Sequence, residues 1–309
     1  MSKPTFHICW SLACEATQHS VKDPELGERG VRGFKEILDM YGIKGTFLAI
    51  AGDIESRPSL YRTLHDEGHQ IGIHVHPADE GYVEFAGVMG PDEQREMFLK
   101  ANDRWSQAMG IRPETVAIGY GSANDYTYTA LEEAGFDHGN ISLVGRRLPE
   151  CACVWEGTPP YIHYAHRYNR LLPGDMDFIE IPHTVDTDSR MWGGKHAQDL
   201  RVELVDAKNH WYTMFKAVKR QKDDDSVPVK VIRGTTHNTF ELSDRNDFRR
   251  KTMIEMIEGL RDILESEGCD SRWVPFRTVA DEYRRTVPKS DSIQELKLDR
   301  RGYRGKKTV

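Results

Sequence analysis

Short apolar runs alternate with longer stretches of helical periodicity along most of the chain, and this alternation constrains the fold more than any other feature. Phe6–Leu12, Gly45–Ala51, Gln70–His76, Thr115–Gly119 and Phe136–Leu143 are short and apolar, so each is a predicted strand. Between them the spacing predicts helices. Over Gly30–Met40, Val31, Phe34, Ile37 and Leu38 share one face. Pro58–Glu67 begins with a proline suited to a first helical turn. Pro91–Met109 carries Asp92 and Glu93 where the helix dipole favours negative charge. Asp125–Ala134 stops at Gly135. Later in the chain a strand is predicted over Asp177–Ile181, a helix over Gln198–Arg220, a strand over Val229–Gly234 and a helix over Asp247–Glu267. Repeated β-then-α units imply a parallel sheet with right-handed crossovers. The reading is therefore α/β, a distorted (β/α) barrel of about seven βα units, with its chemistry at the C-terminal ends of the strands.

One stretch breaks the rhythm. Val144–Asp175 is rich in Pro, Gly, Tyr and His and reads as a long insertion. Long irregular segments in compact domains are usually functional or disordered. Trp155, Tyr161, Tyr164 and Tyr168 suggest an ordered lid. Residues 1–284 are read as one catalytic domain that includes this insertion around 144–175, and 285–309 as a basic polar tail.

The chain has 309 residues, enough for one large α/β domain. A net charge of −7 gives no reason to expect nucleic acid or an anionic membrane as partner. Five cysteines with no CxxC pair argue against a zinc knuckle, and unpaired thiols fit a reducing compartment. The opening Met-Ser-Lys-Pro-Thr-Phe-His lacks an apolar signal core, and no run reaches membrane-spanning length. The expectation is a cytoplasmic protein without a membrane span. A homo-oligomer stays open.

The chemistry-bearing segment is Gly68-His69-Gln70-Ile71-Gly72-Ile73-His74-Val75-His76-Pro77. Alternate side chains on a strand point to one face, so His74 and His76 project together at the strand end, before a proline turns the chain. Neutral imidazoles suit zinc, cobalt or nickel, which makes this pair half of a divalent-metal site awaiting a carboxylate from another strand. The bland alternative is one core histidine and one loop histidine. Glu15 after strand one, Tyr120 after strand four and His237 after the last strand fall at the same end of the barrel. Cys14 alternates with Glu15 and reads as a buried small hydrophobe. Trp10 and Trp192 could stack on a sugar ring, although Trp10 suits a core equally well.

Four segments resemble the polysaccharide deacetylase family (carbohydrate esterase family four, the NodB-homology domain). They are Ser11-Leu12-Ala13-Cys14-Glu15-Ala16-Thr17, Tyr41-Gly42-Ile43-Lys44-Gly45-Thr46-Phe47-Leu48, Glu67 through Pro77, and Arg233-Gly234-Thr235-Thr236-His237. Pro275 through Glu282 is similar to the family's closing segment. The resemblance implies a NodB-like deacetylase fold and one divalent metal ion, most often zinc, on Glu15, His74 and His76. It further implies His237 as general acid, a backbone N–H near Tyr120 at an oxyanion hole, and a small-molecule or carbohydrate substrate. The sequence departs from the family pattern at three points. The acid that family members use as general base would fall at position 13, where this chain has Ala13; an introduced Asp→Ala change and a natural loss both stay open. The two histidines stand i, i+2 rather than i, i+4. No arginine follows strand four, so Asp186 or Asp188 is the candidate for orienting His237. The reading is a metal-dependent hydrolase that removes an acetyl group from an N-acetylated sugar or related small amide. The alternatives are a ring-opening amidohydrolase on ureides or cyclic imides, and a catalytically silent carbohydrate-binding homologue.

Overall fold

A computed structural model describes residues 3–289, so most of the basic tail read over 285–309 lies outside the described residues. The first half of the chain gives β1 (Thr5–Cys14), α1 (Pro24–Met40), β2 (Thr46–Ala49), α2 (Ala51–Ser56), α3 (Pro58–Asp66), β3 (Gln70–Val75), α4 (Pro91–Met109), β4 (Thr115–Ile118), α5 (Thr127–Glu133) and β5 (His138–Asn140). The short strands β6 (Arg147–Leu148), β7 (Cys153–Val154), β8 (His163–Tyr164) and β9 (Ile179–Glu180) follow. The chain ends with β10 (Val185–Met191), β11 (His196–Asp199), α6 (Ala207–Lys222), β12 (Lys230–His237), α7 (Phe248–Ser266), β13 (Asp270–Trp273) and α8 (Phe276–Thr286).

The main sheet runs β12-β1-β2-β3-β4-β5-β9-β8, and β13 pairs with the first half of β1 on the edge that β2 leaves free. The pairs are parallel except β8 with β9. The path ends at β12 and β8, so the sheet curls into an open half-barrel rather than a closed one.

Alternation along β1 explains the two layers. Phe6, Ile8, Trp10 and Leu12 face outward and pack with Phe34, Ile37 and Leu38 of α1. Fully burying each such side chain stabilises by about 1.5–3 kcal/mol. The odd-numbered residues face the barrel interior. There Cys9 joins Leu48, Ala117 and Ile179 over Phe276, Val279 and Tyr283 of α8. Helix α8 caps the N-terminal end of the barrel: Phe276 N–H donates to Thr46 Oγ1 (3.1 Å) and Arg277 N–H to Gln70 Oε1 (3.0 Å). The C-terminal ends of the strands are left for a site.

Helix boundaries follow local capping. Asp23 accepts from Leu26 N–H at 2.9 Å and Pro24 opens α1. Asp206 caps α6 by accepting from Asn209 N–H at 2.9 Å, so the helix expected over Gln198–Arg220 starts only at Ala207. The residues before it form the antiparallel hairpin β10–β11, which the period-3.6 reading missed. The insertion is anchored rather than draped. Trp155 is fully buried and its Nε1–H donates to Gly121 O at 2.7 Å, and Tyr164 packs on Tyr283 with ring centroids 5.3 Å apart. These two aromatic residues are core, not lid. All five cysteines are free, and Cys14 is fully buried as a small apolar side chain. Among the described residues no helix is long and apolar enough to cross a membrane.

Candidate functional site

Glu15 follows the last residue of β1, His74 lies on β3, and His76 comes directly after β3 in extended backbone (φ −105°, ψ 110°). That conformation keeps the period of two running one residue past the strand, so both imidazoles reach the same face. Their rings stack with centroids 5.0 Å apart. His76 Nε2 lies 2.9 Å and His74 Nε2 3.5 Å from Glu15 Oε2. One ligand atom from each of the three residues fits within 4.8 Å of the others.

The donor set fits a divalent cation on two counts. Two imidazoles and one carboxylate are borderline ligands suited to zinc and its neighbours. Both ring nitrogens of His74 are buried without a hydrogen-bond partner, an arrangement that costs free energy unless something binds them.

Supporting contacts hold each ligand. Glu15 N–H donates to Asn238 Oδ1 (2.8 Å), and Asn238 Nδ2 donates to Asp53 Oδ2 (2.6 Å). Asp53 also accepts from Thr17 N–H and Oγ1 (2.8 and 2.7 Å), which pins the loop after β1. Gly30 of α1 makes this possible, because a Cβ there would stand 2.6 Å from Asn238 O. His76 Nδ1 lies 3.2 Å from Glu84 Oε1, an outer carboxylate of the kind that orients metal-binding histidines. Gly119 sits under the His76 ring, and Tyr120, in the left-handed region at φ 60°, meets that ring edge-to-face at 5.5 Å.

Charge follows the geometry. Burial pushes the Glu15 carboxyl up, but its hydrogen bond to His76 and the nearby His237 and His74 outweigh burial and hold it down at about 2. Burial keeps His74 neutral, with its pKa lowered to about 3. Burial also lowers His76, yet Glu15 and Glu84 overcome it and raise the value to about 9.

His237 ends β12. Its Nδ1 lies 2.6 Å from Glu203 Oε1, and its Nε2 lies 3.9 Å from Glu15 Oε1. Glu203 also accepts from Thr236 Oγ1 at 3.0 Å. Burial lowers the His237 pKa, and Glu203 more than reverses this. Ala13 is the register partner of His237 across β1 and β12, so position 13 faces the same space. Ala13, His74, Tyr120 and His237 share a cavity of about 80 Å³ with Arg146, Arg201 and Arg233.

Three residues singled out in the sequence stand elsewhere. Asp186 accepts from Ser189 Oγ (2.6 Å) and pairs with Lys216 Nζ (2.9 Å), and Asp188 pairs with Arg220; the group beside His237 is Glu203. Trp192 is half exposed, rests on the His196 ring at 4.6 Å, and is not part of the cavity wall. Sequence reasoning did not find Glu203, Asn238 or the three arginines. Only the adjacency of Asn238 to His237 offered a signal.

The sequence profile of the family described as polysaccharide deacetylase matches residues 27–139, a span that holds His74 and His76 but neither Glu15 nor His237. Several solved structures are similar across the chain. A Mycobacterium smegmatis protein assigned as a polysaccharide deacetylase shares 14% identity over 96% of both chains, with a TM-score of 0.62. PuuE allantoinase shares 15% over 92% of both chains, at 0.63. A probable polysaccharide deacetylase from Pseudomonas aeruginosa PAO1 shares 14% over 92% of this chain and 93% of its own, at 0.62. At these identities the likeness establishes the fold. No curated protein sequence matches the chain.

Proposed function

We propose, from the premise that this chain belongs to the polysaccharide deacetylase family of amide hydrolases, that it is a metal-dependent hydrolase removing an acetyl group from an N-acetylated sugar or related small amide. The observation that carries the reading is the Glu15, His74 and His76 cluster, with three ligand atoms inside 4.8 Å at the open end of the barrel. A divalent ion held there would polarise the acyl carbonyl and acidify the attacking water. The remaining roles belong to the chain. Hydrolysis adds water across the C–N bond, and the departing amine needs a proton. His237 is suited to give it, because Glu203 fixes Nδ1 and leaves Nε2 facing the site. A backbone N–H near Tyr120 would steady the developing oxyanion.

Position 13 decides how well this works. A carboxylate there would face His237 across the strand pair and take the proton from water; Ala13 cannot. This favours a second reading, a homologue that keeps the pocket without turnover. The test is hydrolysis of small N-acetyl amides by the zinc-loaded parent and by Ala13→Asp. The first reading expects Ala13→Asp to be about 10²–10⁴-fold faster, the usual worth of a positioned general base. No turnover by either protein across sugar and non-sugar amides would favour the silent homologue.

A further inference from the structure

The cavity beside the candidate metal cluster has an unusual charge balance. Arg146, Arg201 and Arg233 line it, and no aspartate or glutamate does. Arg233 is 2% exposed, and its Nε and Nη1 have no hydrogen-bond partner; only Nη2 is engaged, to Ser11 Oγ at 3.0 Å. One face of its guanidinium lies 5.3 Å from the Phe276 ring centroid at the barrel floor. Arg146 is 5% exposed; its Nε is unpartnered, while its Nη2 meets His196 Nε2. Burial lowers both cations, Arg233 to about 9 and Arg146 to about 10.

The carboxylates behind the wall pair with Arg201 and Arg146 and, among the described residues, leave Arg233 without an ion pair. Asp199 is committed to Arg201, whose Nε donates at 3.1 and 3.2 Å, and it stands 3.7 Å from Arg146. Glu180 accepts from the N–H groups of Ile141 and Ser142, from Ser142 Oγ and from Tyr128 Oη. Glu203 is taken by His237 and Thr236. A buried cation without an ion-pair partner is costly, and retaining Arg233 in that state beside a cavity makes sense when an anion completes the set.

The direction of the cavity follows from the strand. Arg233, Thr235 and His237 alternate along β12 and face the barrel interior together, with Arg233 nearest the floor. A molecule that presents its acyl group to His237 and the metal cluster would point its other end at Arg233.

We propose that the substrate is a small N-acyl compound carrying its own oxyanion, a carboxylate by the match of guanidinium forks to carboxylates, bound by Arg233 at the cavity floor with Arg146 on the cavity wall. This rests on the hydrolase reading above and narrows its substrate class away from neutral polymer.

The test is calorimetric binding to the full chain, in chelator-treated and zinc-loaded forms, with matched probes. N-acetylglycine is compared with N-acetylglycinamide, and N-acetylglucosamine 6-phosphate with N-acetylglucosamine. The expected result is binding of N-acetylglycine about 10–100-fold tighter than its amide, the usual worth of charge-assisted hydrogen bonds. The preference should fall to near unity in Arg233→Met, and be reduced in Arg146→Gln. A preference confined to the phosphate pair would overturn the carboxylate assignment. Equal affinity within each pair, or a preference that survives in both variants, would overturn the oxyanion site itself. The parent comparison stands without any variant, so misfolding of Arg233→Met leaves the test intact. Charge preference without hydrolysis of N-acetylglycine by zinc-loaded Ala13→Asp would uphold the oxyanion site and count against the hydrolase reading.

Discussion

Gly119→Ala should disable the metal cluster without replacing any of its ligands. Gly119 follows β4 directly beneath His76, and a Cβ built there would stand 2.5 Å from His76 Cε1, 2.6 Å from Nδ1 and 2.8 Å from Nε2. Carbon atoms in contact settle at about 3.5–4.0 Å, so the ring must retreat by roughly 1 Å. Gly119 is not among the positive-φ glycines, so alanine brings no backbone penalty of that kind. Metal–ligand distances tolerate only about 0.2 Å, and disturbing the groups that orient ligands typically costs about 10–100-fold in metal affinity. The expected effect is therefore at least about tenfold, or about 1.4 kcal/mol. Overpacking adds about 1–3 kcal/mol of destabilisation. The assay is competitive zinc titration against a fluorescent chelator. A double-mutant comparison with His76→Ala supplies the control: if alanine at 119 acts through His76, the double variant binds zinc no more weakly than His76→Ala alone. Zinc affinity of Gly119→Ala within twofold of the parent would refute the reasoning.

Two further outcomes follow from the same geometry. Glu203→Gln should let His237 lose its proton at lower pH, because the carboxylate that outweighs burial is gone; histidine NMR titration of metal-free protein reads this, and in an active Ala13→Asp background kcat should fall at least about tenfold with KM little changed. In metal-free protein, stability should drop as pH falls from about 6.5 to about 4. Burial holds His69 and His163 near 4 in the fold, so the unfolded chain takes protons that the folded chain refuses, worth about 2 kcal/mol each at pH 5. The raised values of His76 and His237 act with opposite sign and mainly above 6.5. Urea denaturation at pH 7 and pH 5 should show the loss, with a shallower pH slope in His163→Asn.

What was legible in the sequence was local. Outward Phe6, Ile8, Trp10 and Leu12 alternate within one run, and His74 and His76 share a face because a strand has period two; neither needs distant information. Position 13 was visible only through the resemblance, which places an acid two residues before Glu15. The long-range parts were hidden. Glu203 sits in the segment after β11, and its meeting with His237 depends on residues 200–202 pairing with β12 at Thr235. Aspartates in β10 were the guess because they follow the predicted strand Asp177–Ile181, but that segment folds into its own hairpin and gives Asp186 to Lys216. Arg146, Arg201 and Arg233 come from three separated segments; Arg146 and Arg201 each read as an ordinary surface charge, and Arg233, though inside a predicted strand, gained meaning only from its neighbours in the fold. The insertion misled by composition: aromatic residues suggest a lid as readily as a core, and only the Trp155 hydrogen bond to Gly121 decides.

The central claim is a metal centre built from Glu15, His74 and His76. Its most direct test is metal content by inductively coupled plasma mass spectrometry on zinc-equilibrated, desalted protein, for the parent and for Glu15→Ala, His74→Ala and His76→Ala, each checked for folding by circular dichroism. The account predicts about one divalent ion per parent chain and little or none in each folded variant. A parent that stays metal-free under these conditions, or folded variants that keep the full complement, would contradict it.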